Sequence, residues 1–280
     1  MSNPLIFAPL PSRALITVSG PDWRSFLQGL ITQDVETLQP GEARFAALLT
    51  PQGRLLYDLF VVGRDEGCWL DVLAEHRPAI LQRLTMYRLR AKVDLATDAT
   101  AVSILYGAAP EGVDLGDGWT PDPRLLALGW RGYGASPPDG ATLADEDARE
   151  AQKRVLGVPG PVDWGSDKVY PIEANFDLLN GISFKKGCFV GQETTSRMKR
   201  RGQIKTRMLP IAFKGPALTP GSEVLAGTLR AGQVMSGGAG RAIALLRLDR
   251  ADGASLTVEG RPVIVERPAW FLEAVGEDLG

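Results

Sequence analysis

The feature that most constrains this chain is its last third, which breaks into short β-prone runs separated by glycine and proline pairs. Met208 to Phe213, Arg241 to Leu248, Ser255 to Val258 and Pro262 to Val265 are each bounded by turn-forming residues. Runs this short satisfy their backbone hydrogen bonds by pairing with one another. An antiparallel barrel over 205–280 is therefore expected.

The first part reads differently. Ala14 to Val18 is a strand, and Gly20-Pro21 opens a helix whose apolar positions Trp23, Phe26, Leu27 and Leu30 share one face. Arg44 to Leu49, a Pro51-Gln52-Gly53 turn, Leu55 to Val62 and Cys68 to Leu73 follow as mostly strand. Ile80, Leu84 and Tyr87 fall at helical spacing. Residues 107–140 read as loops around a short strand at Leu125 to Trp130. A helix then follows, with Thr142 and Asp145 as a capping pattern, Ala144, Ala148, Ala151 and Val155 as its apolar face, and Gly157 as its C-terminal cap.

A content of 44% hydrophobic and 23% charged residues excludes a disordered chain. No apolar stretch approaches the roughly 20 residues of a membrane span, so no membrane contact is expected. Residues 1–11 carry no basic flank and are broken by Pro4, Pro9 and Pro11, which predicts a cytoplasmic protein. The two cysteines, Cys68 and Cys188, and the single His76 cannot complete a four-ligand metal site, so any cluster would be shared with a partner.

The densest chemical signal is Lys185-Lys186-Gly187-Cys188-Phe189-Val190-Gly191-Gln192-Glu193. Neighbouring ammonium groups, and the N-terminus of a helix running from about Gly191 to Met198, favour a thiolate at Cys188. The competing reading is a small buried cysteine in a glycine-rich turn. Between Lys185 and Arg207, eight basic residues (Lys185, Lys186, Arg197, Lys199, Arg200, Arg201, Lys205 and Arg207) meet one acidic residue, Glu193, in a chain of net charge −2. Such a surplus is either a solvated loop or faces an anion. A folate polyglutamate tail or an acidic protein fits. Nucleic acid does not, because aromatics are not interleaved with the charges.

Glu173 follows a proline-fixed entry at Pro171 and could accept two hydrogen bonds from an amino-pyrimidine edge, or serve as an ordinary ion-pair residue. Asp58 sits within the apolar strand from Leu55 to Val61, so it lies either on the solvent face or in a site. His76 reads as a helix-start or surface residue. Hydrolase, Walker, Rossmann and zinc-protease patterns are all missing from the sequence.

The string from Lys186 to Glu193, followed by Arg197, resembles the K-G-C-[FY]-x-G-Q-E-x-x-x-R signature of the YgfZ branch of the glycine-cleavage T-protein (aminomethyltransferase) superfamily. Phe26-Leu27-Gln28-Gly29, Thr32-Gln33-Asp34, Pro51-Gln52-Gly53-Arg54, Tyr87-Arg88-Leu89-Arg90, Gly157-Val158-Pro159 and Pro171-Ile172-Glu173 match in family order. The resemblance implies an α+β fold, a three-module cloverleaf around a central channel. Its modules would be 1–42 with 130–204, 43–129, and the barrel at 205–280. It also implies tetrahydrofolate binding, with Glu173, Tyr57, Lys186, Gln192, Glu193 and Arg197 on the folate and Cys188 and Asp58 as reactive groups.

A role in iron–sulfur protein maturation and a link to tRNA modification follow from the same resemblance, which is close to mitochondrial iron–sulfur assembly proteins. The expected partners are folate and iron–sulfur carrier or client proteins, with a cluster held transiently at Cys188, and the expected state is a monomer. The chain departs from the aminomethyltransferases, which carry paired aspartates where it has Tyr57-Asp58 and which lack the cysteine motif. Folate-dependent methylene transfer is therefore the second reading. A non-catalytic docking module for a cluster carrier is the third.

Overall fold

The computed structural model describes residues 4–107, 115–200 and 204–277. The chain forms two compact units, one of residues 1–51, 56–149 and 179–192, the other of residues 52–55, 150–178 and 193–280.

The first unit contains β1 (Ile6–Pro9), β2 (Arg13–Ser19), α1 (Trp23–Gln28), β3 (Ala43–Leu49), β4 (Leu55–Arg64), β5 (Gly67–Leu73), α2 (Arg77–Arg88), β6 (Asp94–Asp98), β7 (Val102–Tyr106), β8 (Trp119–Pro121), β9 (Trp130–Tyr133), β10 (Thr142–Leu143) and the start of α3 (Glu146–Val155). Its strands make two five-stranded sheets, ordered β10-β1-β7-β9-β8 and β3-β4-β5-β2-β6. All pairings with recorded register are antiparallel except β1 with β10. The expected helix faces are real: Trp23, Phe26 and Leu27 of α1 and Ile80 and Leu84 of α2 are buried in one core with Ile16, Val18, Leu59 and Val61. Each such side chain contributes about 1.5–3 kcal/mol on leaving water. Ala8, Val102, Ile104 and Tyr133 of the first sheet share a second core with Leu15 and Val62 of the other.

Two local expectations fail for identifiable reasons. The run Leu125 to Trp130 is no strand: a 3-10 turn occupies Leu126–Leu128, and Gly129, at φ 83, redirects the chain into β9. The apolar face assigned to α3 is inverted. Val155 is 62% exposed, whereas Arg149 and Lys153 are buried. Arg149 donates to the Leu128 carbonyl at 2.8 Å, so a buried acceptor outranks alanine for the inward face there, while Lys153 pairs at 2.8 Å with the part-exposed Glu150 of the same helix. Thr142 belongs to β10, and Asp145 alone caps the helix, accepting from the Ala148 N–H at 2.9 Å. Asp145→Ala is expected to cost about 1 kcal/mol, read as a lowered urea midpoint with unchanged slope.

The second unit holds α4 (Pro161–Trp164), most of α5 (Gln192–Arg200), β11 (Thr206–Phe213), β12 (Glu223–Ala226), β13 (Leu229–Gly238), β14 (Arg241–Arg247), α6 (Leu248–Ala251), β15 (Leu256–Val258), β16 (Arg261–Val265) and α7 (Ala269–Glu277). The six strands close as β11-β14-β13-β12-β15-β16, with β16 pairing back onto β11. The expected barrel is therefore present. The hairpin β12–β13 was hidden in the sequence by its glycines. Gly232 is one of them, and it lies so near β14 that a Cβ there would sit 2.3 Å from the Leu245 carbonyl oxygen. Gly157, at φ 67, ends α3 as expected, with the Val158 N–H returning to the Lys153 carbonyl. Among the described residues, no helix is long and apolar enough to cross a membrane.

Candidate functional site

The cysteine loop is built on an ammonium group turned inward. Lys186 is 8% exposed, and its Nζ donates to the carbonyls of Ile31 at 2.8 Å and Gln33 at 2.7 Å. The Phe189 ring lies 5.3 Å from the same nitrogen and is itself buried. Burial lowers the Lys186 amine to about 8, against the opposing pull of Asp34 and Glu36. Further ties flank it: the Val190 N–H donates to Gly29, the Ser183 N–H to Thr32, the Thr32 hydroxyl to Gly181 at 2.6 Å, and the Gln33 side chain to Asn180. The segment 180–190 is thus fastened along residues 29–34.

Cys188 is exposed on this fastened loop, as are Phe184, Lys185 and Gly187. The exposed Gly187-Cys188 pair lies between the buried Lys186 and Phe189, so the thiol is presented to solvent rather than packed as a small hydrophobe. Cys68 is its opposite. It lies at 0% exposure in the core, where burial pushes its thiol up despite the Arg24 charge. Lys186, expected on a bound anion, spends its charge on two carbonyls. Lys185 is exposed.

Helix α5 begins where expected, at Gln192, after Gly191 at φ 81. Glu193 and Arg197 are exposed and Gln192 half-buried. Of the basic residues assigned to this stretch, Arg201 lies outside the described residues. Arg207 is not part of a solvated run, for it is buried and forms a two-pronged pair with Asp177 at 2.8 and 2.7 Å.

In the second unit, Glu173 is half-buried, and its Oε2 accepts the Tyr170 N–H at 2.8 Å. Burial raises the carboxyl, opposed by that N–H and by Arg54, whose guanidinium lies 4.9 Å from the Tyr170 ring. No hydrogen bond to Oε1 is made among the described residues. A carboxylate with one oxygen fixed and one open suits an N–H donor edge such as that of a pterin.

Asp58 is the residue whose setting differs most from a reactive group. It is 4% exposed and paired with Arg13 at 3.1 Å. Tyr57, next to it, packs its ring 5.0 Å from His76. Asp58 is one end of a buried ionic cluster that no motif announced. Asp71, fully buried, accepts from Arg13 Nε at 2.7 Å, from Arg131, and from the Tyr133 hydroxyl at 3.0 Å. Asp122 accepts from Arg124 at 2.7 Å and lies 3.8 Å from Arg131 and 3.5 Å from Arg149. The Phe60 ring underlies three of these guanidiniums, with Arg131 at 3.7 Å. Burial alone would raise the Asp71 carboxyl, yet Arg13 and Arg131 hold it below the ordinary range. The signal for Asp71 was the one that singled out Asp58, an acid inside an apolar strand.

Among the described residues, no three of His, Cys, Asp and Glu gather as a metal site. Lys186, Cys188, Gln192, Tyr57 and Asp58 belong to the first unit, and Glu173, Glu193 and Arg197 to the second.

Comparison with known proteins adds the following. Residues 205–273 match the family model of the CAF17 C-terminal β-barrel domain. The chain is 33% identical over 238 residues to the iron–sulfur cluster assembly factor IBA57 homolog, mitochondrial, of Neurospora crassa, covering 74% of this chain and 54% of that protein. It is 31% identical to human IBA57, mitochondrial, covering 80% of this chain and 74% of the human protein, and 30% identical to the mouse protein, covering 87% and 78%. The chain therefore spans about half the length of the fungal relative. The crystal structure of the glycine cleavage system aminomethyltransferase T from Bartonella henselae matches at a TM-score of 0.78 and 15% identity, covering 97% of this chain and 87% of that one, which shows the fold. The cytoplasmic expectation is corrected by these relatives: each is named as a mitochondrial protein, which points to mitochondria.

Proposed function

Since the chain belongs to the IBA57 family of iron–sulfur cluster assembly factors, we propose that it serves cluster assembly or repair through Cys188, with a folate bound at Glu173. The observation that carries the reading is the exposed thiol on a loop fastened by the buried Lys186. A ligand group must be held in place yet open to its metal. Cys188 meets both conditions.

The cluster is cargo. The Cys188 Sγ gives its proton to solvent and donates an electron pair to one iron, while the remaining iron positions are held by ligands of a carrier or client protein. Folate, when bound, supplies reducing or one-carbon chemistry. In this proposal Glu173 orients the pterin through its open oxygen, and the exposed Arg197 on α5 attracts the anionic tail. Asp58 takes no chemical part, because its carboxylate is engaged by Arg13.

The test pairs equilibrium tetrahydrofolate binding with rescue of cluster-dependent enzymes in cells lacking the protein. Cys188→Ser is expected to keep folate binding and lose at least tenfold in rescue. Glu173→Ala is expected to weaken folate binding by at least tenfold. Full rescue by Cys188→Ser overturns the thiolate role, and unchanged binding by Glu173→Ala overturns the folate site.

A further inference from the structure

Residues 52–55 group with the second unit, and their backbone is bonded into the segment that leads to Glu173. The Leu55 N–H donates to the Val169 carbonyl at 2.9 Å, and the Asp167 N–H donates to the Leu55 carbonyl at 2.8 Å. Arg54 extends from this ladder. Its Nη1 donates to the Lys168 carbonyl at 2.7 Å, and its guanidinium lies 4.9 Å from the centre of the Tyr170 ring. A cation over an aromatic face is attracted by the ring, which adds to the hold. The Tyr170 N–H in turn fixes Glu173 Oε2 at 2.8 Å. Arg54, Tyr170 and Glu173 are thus one connected array whose ends come from distant parts of the chain.

The array bears on what Glu173 can accept. An ionised carboxyl only accepts hydrogen bonds, whereas a protonated one also presents a donor. Burial works against the charge at Glu173, and the Tyr170 N–H and the Arg54 cation work for it. The remaining charged groups on the elements that meet Glu173 are committed elsewhere or turned to water. On β11, whose Met208 N–H donates to the Glu173 carbonyl at 2.8 Å, Arg207 is committed to Asp177 and to the Ile172 carbonyl. Asp167 and Lys168, ahead of Tyr170, are exposed.

Resting on the folate reading of Glu173, we propose that Arg54 is a positioning residue of that site, which holds Glu173 as an anion and so selects a ligand with an amino-pyrimidine N–H donor edge. An edge that offers only acceptors is rejected, because two acceptors face to face leave both unpaired. Arginine suits this task. Its guanidinium keeps its charge, and its plane stacks on the ring beside the carboxylate. Ligand capture then depends on pH: Glu173 accepts the N–H edge above its folded-state value and loses it as pH falls through that value. With Arg54 removed the value rises, so the loss begins nearer neutral pH.

The experiment measures binding of 5-formyltetrahydrofolate, a reduced folate that resists oxidation, across acid to mildly basic pH. Wild type, Arg54→Gln, Arg54→Lys and Glu173→Gln are compared as full chains, each checked by thermal unfolding. Arg54→Gln is expected to bind about fivefold more weakly than wild type near pH 6 and to recover to within about twofold near pH 8. Arg54→Lys, which restores the charge, is expected to follow the wild-type curve. In ligand-free protein carrying isotope-labelled glutamate, the Glu173 carboxyl signal, assigned by its loss in Glu173→Gln, is expected to titrate at higher pH in Arg54→Gln. An unmoved titration in that variant overturns the proposal. So does a loss of binding that is equal at every pH, or acid weakening in Arg54→Lys as large as in Arg54→Gln. Absence of folate binding by wild type beside an upward-moved titration overturns the folate reading alone and supports the hold of Arg54 on the carboxylate.

Discussion

Asp71→Ala is expected to destabilise the first unit by about 3–5 kcal/mol, the cost of leaving buried guanidiniums without their anion. Arg13 and Arg131 both donate to this carboxylate, and Arg131 also lies over Phe60 with almost no solvent contact. Water cannot take the place of the lost oxygen atoms. Since a domain is stable by only about 5–15 kcal/mol in total, the variant stands near the edge of folding at ambient temperature. Urea unfolding followed by tryptophan fluorescence reads the effect directly. A loss below 1 kcal/mol would show that the cluster is solvated or easily rearranged. The acid limb carries the same information. Asp71 and Asp122 have lowered values in the folded state, so their stabilisation is present above the ordinary carboxylate value of about 4 and is lost as pH falls through the depressed ones.

Lys186→Met is the second large change. It is expected to unfasten the cysteine loop while leaving Cys188 in the chain. The carbonyls of Ile31 and Gln33 lose their shared donor, a cost of about 1–3 kcal/mol for each that stays buried. Amide exchange at Ser183 and Val190 is expected to quicken by at least tenfold, because both N–H groups belong to the same fastened segment. Rescue of cluster enzymes should fall with it. Unchanged exchange at both amides would show that the loop is held by its backbone bonds alone. The pH dependence supplies an independent check. The folded-state amine titrates near 8, while the unfolded chain keeps its proton up to the ordinary lysine value of about 10.4. Between these values the unfolded state binds more protons, so stability attributable to Lys186 rises with pH, and this slope should vanish in the methionine variant.

The two parts of the candidate site were unequally readable. The cysteine loop was legible because its chemistry is local: lysine, glycine and cysteine stand together in the chain, and α5 starts at the position that Gly191 marks. The direction in which Lys186 points was not legible, since its acceptors, Ile31 and Gln33, lie more than 150 residues away. Glu173 could be singled out from its place after Pro171, but not its single fixed oxygen, which depends on how the chain turns back at Tyr170.

By itself the sequence determined what depends on near neighbours: the faces of α1 and α2, the strands flanking the Pro51 turn, most of the barrel strands, and the family to which the chain belongs. Tertiary structure decided what depends on partners brought from afar. It turned Arg149 of α3 inward and Val155 outward, because the buried Leu128 carbonyl and Asp122 needed a cation more than the core needed a valine. It gathered Arg13, Asp58, Asp71, Asp122, Arg124 and Arg131 from distant strands and loops into one dry ionic cluster. Charge at a distance leaves no period in a sequence; only the fold says which ions meet.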